Sequence, residues 1–158
     1  MLRTLSLILA LAAGSPTWAA EPHPLAAPLA AAADSARQAR RIQLELDDLH
    51  PLYGGDRYVL EGRVLTHTHQ PRGGKPPVET RVTLSSPQLQ ELAALLHAQA
   101  LWEQRVPEDK PRPDESRTTL TLTLDGATST IWERHNDLVA NDRLVRVRGL
   151  LASWASPS

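Results

Sequence analysis

The chain has no cysteine, so no disulfide staples it and no thiolate can serve as nucleophile or metal ligand. Exported domains too small to build a core usually depend on such staples, so stability here has to come from packing. The same absence removes any lipid-modified cysteine behind an export signal. Asn-x-Ser/Thr sites are missing as well, which suits a bacterial periplasmic protein better than a eukaryotic secreted one. A basic excess is also lacking. Beyond the first nineteen residues, sixteen basic side chains face eighteen acidic ones, a balance of −2. That charge offers little to a phosphate backbone and argues against nucleic acid as a partner. No apolar run approaches the roughly 20 residues a membrane span needs. Internal repeats and recognisable catalytic motifs are absent too.

What is present starts with an address. Arg3 precedes an apolar run from Leu5 to Ala13, and Thr17, Trp18 and Ala19 lead to a small-residue exit between Ala19 and Ala20. A charged start, a short apolar middle and that exit predict a secretory signal peptide over 1–19. The protein is then periplasmic or secreted, with no membrane anchor after cleavage near Ala19. Residues 20–40 are rich in Ala and Pro; Pro22, Pro24 and Pro28 forbid one continuous helix, and a flexible tether is expected.

The remainder, 41–156, is expected to form a single domain, large enough to bury about two-thirds of its unfolded surface. Ile42, Leu44 and Leu46 alternate with polar residues, the period-2 mark of a half-buried strand. His50-Pro51 and Gly54-Gly55 make a turn. A second strand reads from Tyr58 to Thr68, with Tyr58, Leu60, Val64 and Thr66 on one face. A third runs from Val78 to Leu84 after a Pro/Gly-rich loop. Ser86 and Pro87 open a helix whose apolar stripe is Leu89, Leu92, Ala93, Leu96 and Ala100. Glu103 to Ser116 is a charged, proline-bearing loop. Leu120, Leu122 and Leu124 alternate with threonines up to Asp125-Gly126, a type I′ hairpin signal that pairs Leu124 with Ala127 and Leu120 with Ile131. A last helix carries Ala140, Leu144, Val147, Leu151 and Trp154, with Arg143, Arg146 and Arg148 toward water. Gly149 weakens it by about 1 kcal/mol relative to Ala. The order β-β-β-α-β-β-α predicts an α+β fold: an antiparallel sheet of about five strands with two helices packed on one face.

Few residues suggest chemistry. In Thr66-His67-Thr68-His69 the two imidazoles share a strand face and could chelate a metal. The other ligands a zinc site needs would come from His50, His135 or Asp137. A solvated strand end explains the pair more simply. Ser129, His135 and Asp137 lie close in sequence, but Ser129 faces inward and no nucleophile elbow surrounds a serine. Asp47-Asp48 and Glu108-Asp109 sit in a turn and a loop. No catalytic residue and no cofactor is expected. Trp102 and Trp154 read as core. Trp132 falls beside Thr119, Thr121 and Thr123 on the hairpin's outer face, where a rigid aromatic anchors contacts at small entropic cost. With Arg112 and Asp114 of the adjoining loop, these are the candidate partner-binding residues.

The layout carried by "SSPQLQELAALLHAQALWE", "PEDKPRPDESR" and "TTLTLTLDGATSTIWE" resembles emfourin-type inhibitors of thermolysin-like metallopeptidases. It is similar also to other bacterial exported α+β domains of the same plan. The likeness spans about residues 41–154 and implies a small module that binds another exported protein, such as a peptidase, through its loops. The expected function is a non-enzymatic protein-binding module, for which the resemblance implies peptidase inhibition; the alternative is a metal- or small-ligand-binding protein using His67 and His69.

Overall fold

A computed structural model describes residues 21–50, 52–104, 106, 108, 115–140 and 142–155, with the side chains of 139, 140 and 142 left out. Residues 1–19, expected as a signal peptide, lie outside the described residues, as do Arg112, Asp114 and most of the loop before Glu115. None of the described helices is long and apolar enough to cross a membrane.

The fold is α+β. Six antiparallel strands lie in the order β4-β3-β2-β1-β5-β6. They are β1 (Gln43–His50), β2 (Gly54–Glu61), β3 (Val64–Gln70), β4 (Val78–Thr83), β5 (Arg117–Leu124) and β6 (Ala127–Arg134). Four α-helices accompany them: α1 (Ala26–Asp34), α2 (Ala36–Ala39), α3 (Ser86–Gln99) and α4 (Asp142–Ala155). Short 3-10 turns follow α3 at Leu101–Glu103 and precede α4 at His135–Ala140.

The extra strand comes from one glycine. The stretch Tyr58 to Thr68, expected as one strand, is the hairpin β2–β3, with Glu61 paired to Val64 across Gly62-Arg63. Gly62 takes a φ of 62° while Arg63 stays at negative φ, as a type II′ turn with glycine first requires. A two-residue turn keeps the alternation running, so periodicity alone did not show the break. It changes the faces, however. Leu60 now shares a side with Leu65, its direct partner, instead of with Val64; Leu65 is fully buried and Val64 is exposed. His67 follows Leu65 onto the covered face, away from the solvent face expected for it.

The Ala/Pro tether is likewise corrected. Residues 26–39 form α1 and α2, and Leu25, Leu29, Ala32 and Ala39 are fully buried in the main cluster. Pro28 is tolerated because it stands in the first turn, where backbone N–H groups have no intrahelical acceptor to lose. α1 lies against α3, and the Gln90 side-chain amide donates to the Ala33 carbonyl at 3.2 Å.

α3 starts one residue earlier than expected. Ser85 is the N-cap, and it forms a capping box with Gln88. Leu89, Leu92, Ala93 and Leu96 are buried as the stripe requires, and α4 adds Leu144, Val147 and Leu151. Trp102 and Trp154 pack against this core without being fully enclosed. The β5–β6 hairpin has the expected register, with both Asp125 and Gly126 at positive φ.

The sheet therefore has two unlike faces. One carries Leu44, Leu46, Leu60, Leu65, Leu120 and Leu122 into the core under the helices. The other presents Glu45, Arg57, Thr66, Arg81, Thr121 and Thr130, none of them buried.

Candidate functional site

On the covered face the apolar rows end before the strands do. Past Leu46 and Tyr58 come Asp48, paired across the ladder with Asp56, which is paired in turn with His69. Thr118 continues the row on β5, and its hydroxyl donates to Asp48 Oδ1 at 2.5 Å. Two carboxylates directly opposite each other repel, and each here carries its own partners.

Asp48 is met from α4 and from the end of β6. Arg148 donates to Oδ2 at 2.8 Å, and His135 Nδ1 lies 3.3 Å from Oδ1. The Asp48 side chain is only 10% exposed. Arg148 is thus turned toward the sheet, not toward water as its place on α4 suggested. Asp56 Oδ1 is shared by His67 Nε2 at 2.8 Å and His69 Nδ1 at 2.9 Å. Burial pushes the Asp56 carboxyl up, but the hydrogen bonds and charge of His67 and His69 outweigh it and leave the pKa below the ordinary value. The two histidines share a face, as their spacing implied, and converge on a carboxylate. Tyr58 lies under His67 with rings parallel and 4.6 Å apart. Its phenol is pushed up to about 12, first by burial and then by the nearby Asp56 charge.

His50 closes β1. Its Nδ1 accepts the backbone N–H groups of Leu52 at 3.0 Å and Tyr53 at 3.1 Å, and the residue is 8% exposed. A nitrogen that accepts two N–H groups carries no proton, so in the neutral ring the proton sits on Nε2. The next two residues demand glycine. A Cβ on Gly54 would stand 2.1 Å from the Gln70 carbonyl oxygen, and one on Gly55 would stand 2.0 Å from that of Asp48.

Together these groups line a cleft of about 810 Å³ at this end of the sheet. Asp48, His50, Asp56 and His69 come from the strands, Tyr53 and Arg72 from the loops, Arg134 from β6, His135 from the 3-10 turn after it and Arg148 from α4. Arg134 pairs with Glu115 at 2.6 Å, and the His135 backbone donates to the Ser116 carbonyl at 3.0 Å.

His50, His69 and His135, three of the possible metal ligands, do share this cleft. Asp137 is exposed and does not line it. Among the described residues, no three His, Cys, Asp or Glu side chains are grouped so as to hold a metal ion. Ser129 stands opposite Leu122, and the acid facing His135 is Asp48 instead of Asp137.

The expected partner-binding residues Thr119, Thr121, Thr123 and Trp132 lie on the open face, away from the cleft. Thr121 bonds Thr130 at 3.2 Å, Thr123 bonds Thr128 at 3.0 Å, and the Arg117 guanidinium sits 5.6 Å over the Trp132 ring. A shallow hollow of about 200 Å³ adjoins Thr121 and Thr123.

The reading of Asp47-Asp48 as a turn concealed the cleft. β1 keeps its alternation through His50, which puts Asp48 and His50 at positions that Leu44 and Leu46 mark as inward. Polar residues at inward strand positions were the available signal. The convergence of Arg148 and His135 on Asp48 is a tertiary event with no local mark. Compared with the models of known protein families and with curated proteins, the chain matches none.

Proposed function

We propose that the protein is an exported, non-enzymatic binding module whose working surface is the cleft between the polar end of the sheet and α4. One observation carries this reading: imidazoles, guanidiniums and carboxylates from five separate chain segments line a single concavity beside a rigid apolar core. Concave sites with a few fixed polar groups are where small ligands bind. The non-enzymatic part is supported by how the hydroxyls are used. Thr118 is committed to Asp48, and among the described residues no serine or threonine hydroxyl bonds the His135 ring. An acid–imidazole pair without a nucleophile orients a ring and does not by itself transfer an acyl group.

Titration of 15N-labelled protein with short peptides, small carboxylates, phosphates and sugars tests the reading. Shifts concentrated at 52–55, 70–72 and 134–136 are expected; a panel that leaves those amides in place overturns it.

A second reading, capture of another exported protein such as a peptidase, is favoured by Trp132 under Arg117 on the open face. Its test is hydrolysis by a thermolysin-like metallopeptidase with and without the protein. A rate unaffected at saturating protein removes the inhibitor role.

A further inference from the structure

We infer that the cleft selects an anionic group, a carboxylate or a phosphate, gripped by His50 Nε2–H and the guanidiniums of Arg148 and Arg72. This rests on the cleft being a ligand site and names the chemistry of the ligand.

The argument is one of remaining hydrogen-bonding capacity. Each carboxylate in the lining is already engaged by the protein: Asp48 by Thr118, His135 and Arg148, Asp56 by His67 and His69, and Glu115 by Arg134. Asp56 keeps Oδ2 free, since both histidines bond Oδ1; the rest of the leftover capacity is donors. His50 is more than nine-tenths buried with Nδ1 committed to the loop backbone. No buried side-chain nitrogen or oxygen among the described residues lacks a partner. The unpaired Nε2–H must therefore reach the surface, where His50 lines both this cleft and the adjoining hollow of about 300 Å³ beside Leu49, Leu52 and Gly73; we assign it to the cleft.

Arg148 uses one amino nitrogen on Asp48, and its rigid fork keeps further N–H groups for a second acceptor. Asp48 fixes the direction of that fork. Arg72 lies 5.5 Å over the Tyr53 ring, a contact that uses the guanidinium face and leaves its N–H edge available. A ligand of acceptors fits such a lining. A cation would find only Asp56 Oδ2 open to it; every other carboxylate oxygen shown bonded would have to give up an internal partner, leaving that partner unpaired.

The charges of the three arginines and three carboxylates in the lining cancel, so fixed donors rather than a surplus of positive charge must select the ligand. Affinity is then modest and geometric, and sensitive to loss of a single fork.

The experiment is titration of the full chain with sodium phosphate, sodium acetate and neutral acetamide at constant ionic strength in chloride buffer. The His50 imidazole and the 52–55 amides are followed by NMR. Phosphate or acetate should shift these signals saturably while acetamide does not; the tighter of the two anions identifies the group recognised. R72Q, an exposed change, should weaken the anion about tenfold, the loss of one charge-assisted hydrogen bond. R148K, which retains a cation for Asp48 but lacks the fork, should do the same with signal dispersion unchanged. Should R148K unfold, R72Q alone decides.

If acetamide shifts the cleft signals and the anions do not, the anion inference falls while the binding module stands. If none of the three probes nor the wider panel moves the cleft, both fall. Anion shifts that neither variant weakens also overturn the inference, because the binding then lies elsewhere.

Discussion

Asp48 and Arg148 stand a hundred positions apart and meet at 2.8 Å, tying β1, one of the sheet's two central strands, to the last helix. Breaking such a pair costs more than the pair contributes, because the remaining charge is left poorly solvated. R148M should destabilise the fold by about 3 kcal/mol, at the low end for buried pairs because Thr118 and His135 still bond Asp48. D48N should cost less, since the guanidinium is 34% exposed and water screens it. In urea denaturation the double variant should lose clearly less than the two single losses combined; additivity within about 0.5 kcal/mol would mean the ion pair is not coupled.

Asp56 gives a pH signature. Its folded pKa lies below the ordinary 3.8, so the folded state holds the ionised form more tightly than the unfolded chain does. The contribution is fully present above the unfolded value and is lost as pH falls through the folded one. D56N should flatten the acid limb of a stability–pH profile measured by urea midpoint. An unchanged limb would place the acid sensitivity in other carboxyls.

Tyr58 behaves in the opposite sense. Raised from 10.0 to about 12, it favours folding below the unfolded value, and that contribution drains away as pH climbs toward the folded one. In Y53F, which leaves one tyrosine, ultraviolet absorbance should report a single ionisation near 12 in the folded protein. A transition near 10.0 in protein that is still folded would contradict the buried stack on His67.

Leu29 anchors α1. Truncation to Ala removes a fully buried side chain and should cost about 2–5 kcal/mol, depending on how far α3 settles into the gap. A loss below about 0.5 kcal/mol would return residues 26–39 to the status of a tether.

The glycines offer a matched contrast. G54A drives a Cβ into the Gln70 carbonyl and should cost about 3 kcal/mol or more, with loss of any cleft binding. G73A also sits at positive φ, but in open space, and should cost about 1 kcal/mol. Equal losses in thermal denaturation would argue against the close approach of β2 and β3 at the cleft floor.

What was legible in the chain follows from how local each signal is. Asp125-Gly126 carries its turn geometry in its own backbone preferences, and the β5–β6 register followed from it. The apolar stripes of α3 and α4 likewise state their buried faces. Leu25 and Leu29 were hidden by the alanines and prolines around them, since composition speaks of chain stiffness and not of what lies opposite. The cleft was least legible. Asp48 and His50 look like a turn until β1 is known to continue beneath α4, and Arg148 resembles any surface arginine until the helix is docked.

The turn at Gly62-Arg63 has a consequence for how this protein can vary. One residue added to or removed from it would roll β3 half a revolution, exposing Leu65 and sending His67 and His69 outward together. Hydrophobic interior and imidazole–carboxylate wall are geared to the same hinge of parity. Drift in loop length at that spot would strip the molecule of its solvent-shielded centre and of its polar hollow in one step, so neither can be traded away while the other is kept.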